Sequence, residues 1–167
     1  MAAGTAFRLY AEMDGPIQTA IAVANNSTDA AAVQLELSNL DGASTGLTGT
    51  LSIPPNGQTA MFLNDIQEFA SLPTPFQGVL RVSSPVSISM IGLRIRYNER
   101  NDVLITPTPA VNEAAPPATS PMVFPQIVDS AGYTTQFILF SARPGSSSSG
   151  TLQLFNQSGG GLGVPLQ

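Results

Sequence analysis

A candidate calcium site lies in the loop between Asn98 and Asp102. Four oxygen-bearing side chains, Asn98, Glu99, Asn101 and Asp102, fall within five residues. Carboxylate and amide oxygens are the ligands that Ca²⁺ prefers in proteins. The spacing is not that of an EF-hand, and a hairpin turn in which Arg100 offsets the carboxylates accounts for the same residues. We favour the turn, and we expect removal of divalent ions to change little.

Three arginines form a second candidate site. Arg94 and Arg96 point the same way from one predicted strand, and Arg81 lies on a neighbouring predicted strand. A stripe of guanidinium groups can hold a carboxylate or an anionic sugar through paired hydrogen bonds. The same side chains can instead form cross-strand ion pairs with Glu36 or Glu99, and we favour this alternative.

Nucleophilic catalysis and transition-metal chemistry lack their usual side chains. The sequence has no Cys and no His, and all six of its cationic residues are arginine, so no Lys is present either. A Ser or Thr nucleophile therefore has no ordinary base, and zinc has no nitrogen or sulfur ligands. A glycosidase-type carboxylate pair remains formally available from Glu12, Glu36, Glu68 or Glu99, yet each is predicted on an exposed face or turn. We predict a non-catalytic protein without a cofactor.

The charge composition limits the classes of partner. The formal net charge is −5, and only 10% of the 167 residues are charged, against about 25% in an average soluble protein. Nucleic acids and anionic membrane surfaces attract a basic footprint, which this chain lacks. The sequence shows neither a signal peptide nor an apolar membrane span. A low charge with abundant small polar residues favours a secreted or cell-surface bacterial location over the cytoplasm.

Alternating apolar residues predict an all-β protein. Apolar series of period two recur through the first hundred residues, separated by turns such as Asp14-Gly15-Pro16. Seven to eight short strands at this spacing predict an antiparallel β-sandwich over residues 1–106, with one short helix at residues 66–71. The predicted core positions are Leu35, Leu37, Leu51, Leu80, Val82, Ile88, Leu93 and Ile95.

The strand that follows Pro85 has an irregular pattern. Apolar residues alternate with serines from Val86 to Met90, and a second apolar series then runs from Ile91 one residue out of phase. A one-residue slip turns side chains to the opposite face, so this pattern predicts a β-bulge or a change of sheet at Met90-Ile91. A separate strand over residues 76–83 is predicted to precede it, joined through Ser84-Pro85.

A proline-rich stretch over residues 107–122 predicts a linker that cannot pair as a central strand. Beyond it, residues 124–163 align with residues 7–46 at a constant offset and without gaps. The matched pairs are Phe7 with Phe124, Glu12 with Asp129, Gly15 with Gly132, Ile21 with Ile138, Leu35 with Leu152, Leu37 with Leu154, Asn39 with Asn156 and Gly42 with Gly159. Residues 123–167 are thus a partial second copy of the repeat, with about three strands.

The sequence also resembles a known kind of module. The resemblance is carried by GLRIRYNERNDVLITPTP at residues 92–109, PNGQTAMFL at 55–63 and FPQIVD at 124–129. These stretches are similar to the tandem immunoglobulin-like repeats of large secreted or cell-surface bacterial proteins. The resemblance implies an immunoglobulin-like sandwich, an extracellular location and a tandem arrangement. It implies no catalytic or binding residues.

Together these observations predict a structural or interaction module that self-assembles. About three strands cannot close a sandwich, so the partial copy is predicted to complement strands of a neighbouring subunit and build a fibre or surface array. The interaction residues are predicted to be Phe137, Leu139, Leu152 and Leu154. The expected partner is another copy of this chain, with no nucleic acid. The alternative is a carbohydrate- or ligand-binding sandwich that takes surface glycans, although the chain has only three tyrosines and no Trp for stacking.

Overall fold

A computed structural model of the chain describes residues 3–116, 119–125, 127–128, 130–132, 134–141 and 149–163. In these residues the regular elements are antiparallel strands and two single-turn 3-10 helices, Leu63–Asp65 and Gln67–Phe69. The predicted all-β class is confirmed. In the same part of the chain no helix is long and apolar enough to cross a membrane. The strands are β1 (Ala3–Asp14), β2 (Ile17–Asn25), β3 (Ala31–Asn39), β4 (Ser44–Ile53), β5 (Gln58–Phe62), β6 (Phe76–Tyr97), β7 (Val103–Thr108), β8 (Val111–Asn112), β9 (Leu154–Phe155) and β10 (Gly161–Leu162).

The central strand is β6, which runs without interruption for 22 residues. Its first half lies between β1 and β3, and its second half lies between β2 and β7. The sheet order is β4-β3-β6-β1-β2-β5, so one curled sheet supplies both layers that enclose the core. The two strands predicted at residues 76–83 and after Pro85 are therefore one strand.

The crossing between the layers lies at residues 84–87. The β1–β6 register jumps from Ala6 opposite Ser83 to Gly4 opposite Ile88, so four residues of β6 face the single residue Thr5. Extra residues of this kind bend a strand, and Pro85 is tolerated because it lies outside the regular ladder. The irregularity therefore lies several residues before the predicted position at Met90-Ile91.

The core is formed by the inward faces of these strands, covered at one end by the segment that holds the two 3-10 helices. Its largest fully buried side chains are Phe69, Leu9, Ile21, Leu35, Leu37, Ile53, Leu63, Leu80, Ile88, Val23, Val33 and Val82. Most predicted core positions are confirmed, and Leu51 is partly buried against this cluster. The short predicted helix at residues 66–71 is a 3-10 turn whose Phe69 is buried.

The second half of β6 corrects one prediction. The β2–β6 register is unbroken from Ile17 opposite Arg96 to Asn25 opposite Ile88, so no bulge falls at Met90-Ile91. Gly92 shares the inward face with Ile88 and Met90, and a Cβ atom on Gly92 would overlap Leu9 Cδ1. Leu93 therefore points outward and lies outside the core cluster. Ile95 is buried but belongs to the same outward series. The sequence pattern was misleading because this half of β6 is apolar on both faces.

The predicted linker begins later than expected. Pro107 lies in β7 opposite Leu93, and Val111 and Asn112 form β8 on the edge of β1. The amide of Glu113 then donates to the Ala6 carbonyl at 3.0 Å. The prolines are accommodated because β7 is an edge strand, where a missing donor breaks no central ladder. The first sandwich thus extends beyond residue 106 to Glu113.

The hydroxyl of Thr19 holds the corner where β1 and β2 separate into the two layers. Ladder pairs join these strands only at Met13–Gln18 and Asp14–Ile17. At the next position Thr19 Oγ1 accepts from the Glu12 amide at 2.8 Å and donates to the Glu12 carbonyl at 3.0 Å. One buried hydroxyl thereby provides hydrogen-bond partners for the amide and the carbonyl of Glu12, which lies beyond the last ladder pair between β1 and β2.

We predict that Leu80→Ala and Leu93→Ala have very different costs. Leu80 is fully buried, so its truncation should lower the free energy of unfolding by about 2–5 kcal/mol. Leu93→Ala on the outer face should cost at most about 1 kcal/mol. Urea unfolding followed by fluorescence or circular dichroism measures both values. Equal losses would contradict the strand orientation given above.

The corner at Thr19 gives a second prediction. Thr19→Val keeps the shape of the side chain but leaves the buried amide and carbonyl of Glu12 without a partner, so it should cost about 1–3 kcal/mol of unfolding free energy. Thr19→Ser retains the hydroxyl and serves as the matched control. A valine variant as stable as the serine variant would show that the two hydrogen bonds do not hold the corner.

Candidate functional site

The acidic loop of the candidate calcium site is the turn between β6 and β7. Asn98 Oδ1 accepts from the amides of Arg100 and Asp102 at 2.9 and 2.8 Å, and Asn98 Nδ2 donates to Asp102 Oδ2 at 2.9 Å. Asn101 has a positive φ of 63°, which an asparagine tolerates in a turn. Glu99 pairs with Arg96 at 3.2 Å. These contacts account for the residues as a hairpin turn, the alternative favoured from the sequence.

The three candidate arginines are each paired with a carboxylate. Arg81 Nη1 donates to Glu36 at 3.3 Å, Arg94 Nε donates to Glu12 at 2.8 Å, and Arg96 pairs with Glu99. All three lie on β6, and Arg81 lies in its first half whereas Arg94 and Arg96 lie in its second half. They do not form the predicted stripe across neighbouring strands. Of the cross-strand pairs expected, Arg81 with Glu36 is present between β6 and β3, whereas Arg96 and Glu99 form a local pair three residues apart at the end of β6.

A buried charge cluster that the sequence did not predict joins β1, β6 and the segment after β8. Arg8 lies directly opposite Arg81 in the β1–β6 ladder, and like charges in that position repel. Glu113 lies between them, at 3.3 Å from Arg8 Nε and with both carboxylate oxygens on Arg81, at 2.9 and 3.1 Å. The hydrogen bond to Glu113 raises the pKa of Arg81, against the lowering effect of burial.

Among the described residues, Arg8 also contacts the partial second copy. Its Nη2 donates to the carbonyl of Ser141 at 2.5 Å, and its guanidinium lies 5.9 Å from the centre of the Phe140 ring. The side chain is nearly fully buried. A cation over an aromatic face gains most where water is excluded. The alignment gave no signal for this role, because Arg8 has no charged counterpart in the second copy.

A second buried polar group lies beside Glu12. Tyr10 Oη is buried, and in the described part of the chain it has no hydrogen-bond partner. Burial raises the pKa of Tyr10, the nearby charge of Glu12 raises it further, and Arg94 lowers it. Arg94 and Gln77 both donate to Glu12, which leaves the tyrosine hydroxyl outside the network.

The partial second copy reproduces two local structures of the first sandwich. Thr135 Oγ1 accepts from the Val128 amide and donates to the Val128 carbonyl, both at 3.0 Å, as Thr19 does with Glu12. The turn at Asn156 repeats the turn at Asn39. In each turn the fourth residue is a glycine whose amide donates to the asparagine carbonyl at 3.0 Å. The φ angle is 87° at Gly42 and 85° at Gly159. Phe155 pairs with Gly161 as Ser38 pairs with Ser44.

This geometry shifts the alignment of the two copies by one residue at the corner between β1 and β2. Thr135 corresponds to Thr19, and Ala131 with φ of 53° corresponds to Gly15 with φ of 51°. The sequence alignment instead matched Gly15 with Gly132 and Ile21 with Ile138, so it is wrong there. Its match of Glu12 with Asp129 falls on a residue outside the described ones. The alignment at Asn39 and Gly42 is correct, so the second copy has one residue more between the two structures.

The four predicted interaction residues correspond to core positions of the first sandwich. On the corrected alignment they are the counterparts of Ile21, Val23, Leu35 and Leu37, all at most 2% exposed. In the second copy Leu139 is 72% exposed and Leu152 is 46% exposed, while Phe137 and Leu154 are half-buried. Within the described residues, the same local structures thus carry core-type side chains that stay exposed or half-buried.

These side chains line two open clefts in the second copy. One cleft is lined by apolar residues around β9 and β10, including Leu152, Leu154, Phe155 and Leu162. The other is lined by Phe124, Phe137 and Leu139, with the two rings 4.8 Å apart at an interplanar angle of 60°. Polar side chains also line both clefts, Gln153 in the first and Thr135 and Gln136 in the second.

Comparison with known proteins shows a likeness of fold. No family model matches the sequence, and no curated protein matches it. The crystal structure of Thermotoga maritima 1070 is similar over 67% of this chain and 97% of that chain, with a TM-score of 0.54 and 12% identity. The Anabaena sensory rhodopsin transducer is similar over 53% of this chain and 86% of that chain, with a TM-score of 0.45 and 20% identity. The first likeness shows a similarity of fold over about two thirds of this chain. The resemblance to tandem immunoglobulin-like repeats stays a prediction.

The buried hydroxyl of Tyr10 gives a prediction on pH. Its raised pKa means that the folded state disfavours the phenolate, so the stabilising contribution is present below the ordinary pKa of about 10 and is lost as the pH rises through the folded value. We expect the unfolding free energy to fall more steeply above pH 10 in the native chain than in Tyr10→Phe. At pH 7 the phenylalanine variant should be at least as stable, because it removes an unpaired buried hydroxyl. Urea unfolding at both pH values measures the difference, and parallel pH profiles would contradict it.

Proposed function

We propose that this chain is a non-catalytic self-association module whose incomplete second copy is completed by a neighbouring subunit. The observation that carries the proposal is the exposure of core-type side chains at Leu139 and Leu152 within backbone structures that repeat those of the first sandwich. A sheet with one apolar face needs a second layer to bury it. Another subunit supplies that layer.

Burial of this surface favours association through the hydrophobic effect. Full burial of a Leu or Phe side chain contributes about 1.5–3 kcal/mol. Four such residues that are now partly exposed therefore supply on the order of 5 kcal/mol per subunit before the costs of association. Phe155 and Leu162, which are 61% and 49% exposed, add to this value. Scattered apolar residues on a surface need no explanation, whereas residues grouped in clefts at core-equivalent positions indicate a contact surface.

The backbone of the second copy favours the same function. In the first sandwich β6 pairs with both β1 and β3, whereas the described part of the second copy contains only the two-residue strands β9 and β10. Backbone groups without ladder partners can accept a strand from another chain. The sequence contains no Lys, the residue that most often guards a strand edge.

The setting of the proposed module is a secreted or cell-surface bacterial protein, and this part of the proposal is supported by the low charge and small polar composition alone. The arrangement predicted from the sequence is a fibre or surface array. The carbohydrate-binding alternative has no supporting observation in the described residues: Tyr10 has a buried hydroxyl, Tyr97 is half-buried, and Tyr133 lies outside them.

Removal of the second copy tests the proposal. A chain shortened by residues 121–167 should fold with an intact core and remain monomeric, whereas the full chain should associate as its concentration rises. Light scattering coupled to size exclusion measures the mass, and circular dichroism checks the fold. A full chain that stays monomeric up to millimolar concentration would refute self-association.

A further inference from the structure

We propose that Glu113 controls whether the second copy stays docked on the first sandwich. Glu113 is carried by residues 111–115, which lie along the edge of β1 and are called the strap below. The strap holds the Arg8 guanidinium in the position from which Arg8 contacts the second copy. When the strap opens, Arg8 loses its counter-charge and the second copy is released. This inference concerns contacts within one chain and does not depend on the proposed self-association.

The charge balance around Arg8 is the first step of the argument. Glu36, Arg81 and Arg8 are direct neighbours in the ladders of β3, β6 and β1. Arg81 binds two carboxylates, those of Glu36 and Glu113. Within the described residues, Arg8 forms an ion pair with Glu113 alone. Without Glu113, two opposed arginines would remain with only Glu36, whose side chain is 50% exposed.

The burial of Arg8 is the second step. Its side chain is 10% exposed, and Arg8 Nε lies 3.3 Å from Glu113 Oε1 but has no hydrogen-bond partner in the described residues. The charge of Glu113 is therefore what holds the guanidinium on the side of the first sandwich. A buried cation that loses its counter-charge is strongly destabilised.

The flexibility of the arginine side chain gives Arg8 another position. An arginine can bring its charged end into water while its stem stays on an apolar surface. Such a movement takes the guanidinium away from both the Phe140 ring and the Ser141 carbonyl, its two contacts in the second copy. Both contacts depend on the positive charge, since one is a cation over an aromatic ring and the other a charge-assisted hydrogen bond.

The strap has a defined but short attachment to β1. β8 makes two ladder pairs with β1. The Glu113 amide then donates to the Ala6 carbonyl at 3.0 Å, and Asn112 Nδ2 donates to the Ala3 carbonyl at 3.4 Å. Gly4 leaves the space for this side chain, because a Cβ atom on Gly4 would lie 2.6 Å from Asn112 Nδ2.

The short ladder allows the strap to open while the core stays closed. β6 makes ten ladder pairs with β1, whereas β8 makes two. Segments with few ladder hydrogen bonds and exposed side chains open at a lower free energy than core strands, and Val111 of the strap is 40% exposed. Opening removes Glu113 from Arg8 and leaves β6 in place. Release of the second copy is thereby separated from unfolding of the first sandwich.

Spin labels measure the docking of the second copy in the full chain. The sequence has no Cys, so two introduced cysteines are the only labelling sites. Thr50 on β4 and Thr151 in the second copy are both exposed. Labels at Thr50→Cys and Thr151→Cys, in a chain diluted into excess unlabelled chain, report distances within one chain. Pulsed electron spin resonance should show one narrow distance distribution for the otherwise native sequence.

Glu113→Gln removes the charge and keeps the shape of the side chain. It should lower the ratio of docked to released chains about tenfold or more and broaden the distance distribution. Glu36→Gln is the matched control, because Glu36 binds Arg81 but forms no ion pair with Arg8, and its distribution should stay narrow. Since Glu113 acts through Arg8, Glu113→Gln should have no further effect in an Arg8→Gln background.

Phe140→Ala tests the same contact from the second copy and leaves the charge cluster intact. It should broaden the distribution without changing the thermal midpoint of the first sandwich, measured by circular dichroism. A narrow distribution in Glu113→Gln or in Phe140→Ala overturns the proposal, as does equal broadening in Glu36→Gln or a broad distribution in the native sequence. Loss of the folded sandwich in Glu113→Gln also overturns it, because Glu113 would then support the core and not the docking.

Discussion

The fold depends on one strand that belongs to both layers. β6 lies between β1 and β3 in its first half and between β2 and β7 in its second half, and it bends at residues 84–87 to do so. Leu80 and Val82 of β6 lie between the inward side chains of β1 and β3. The inward faces of those two strands are therefore shielded from water only when β6 is in place. A chain that has the flanking strands without β6 has an open core.

The two copies of the repeat show the consequence of this dependence. Thr19 and Thr135 make the same pair of hydrogen bonds, and Gly42 and Gly159 adopt nearly the same φ. Local interactions within about ten residues are therefore equivalent in both copies. Burial is not: Leu35 is fully buried and its counterpart Leu152 is 46% exposed. In the first sandwich the burial of Leu35 depends on Leu80 and Val82 of β6, more than forty residues away.

The few charges of the chain are arranged to hold this architecture together. Arg8 and Arg81 lie opposite each other, and Glu113 forms ion pairs with both. Glu113 directly follows β8, which pairs with the edge of β1. Removing one member of a buried charge cluster leaves another without compensation, so these residues act as a unit. Through Arg8 the same cluster also contacts the second copy, which links the closed first core to the proposed association surface.

The sequence alone determined what depends on neighbouring residues, namely the all-β class, most strand limits and the turns, because period-two patterns and turn residues act over a few positions. It did not determine which face of β6 is inward near Leu93, since Ile91, Leu93 and Ile95 are as apolar as the buried series and only the packing of Leu9 on Gly92 distinguishes the faces. The sequence also did not predict the pairing of β8 with β1, the ion pairs of Glu113 with Arg8 and Arg81, or the contact of Arg8 with the Phe140 ring. These features join residues roughly 30 to 130 positions apart, and only the tertiary structure decides such contacts because no local pattern encodes which distant side chain fills a given place.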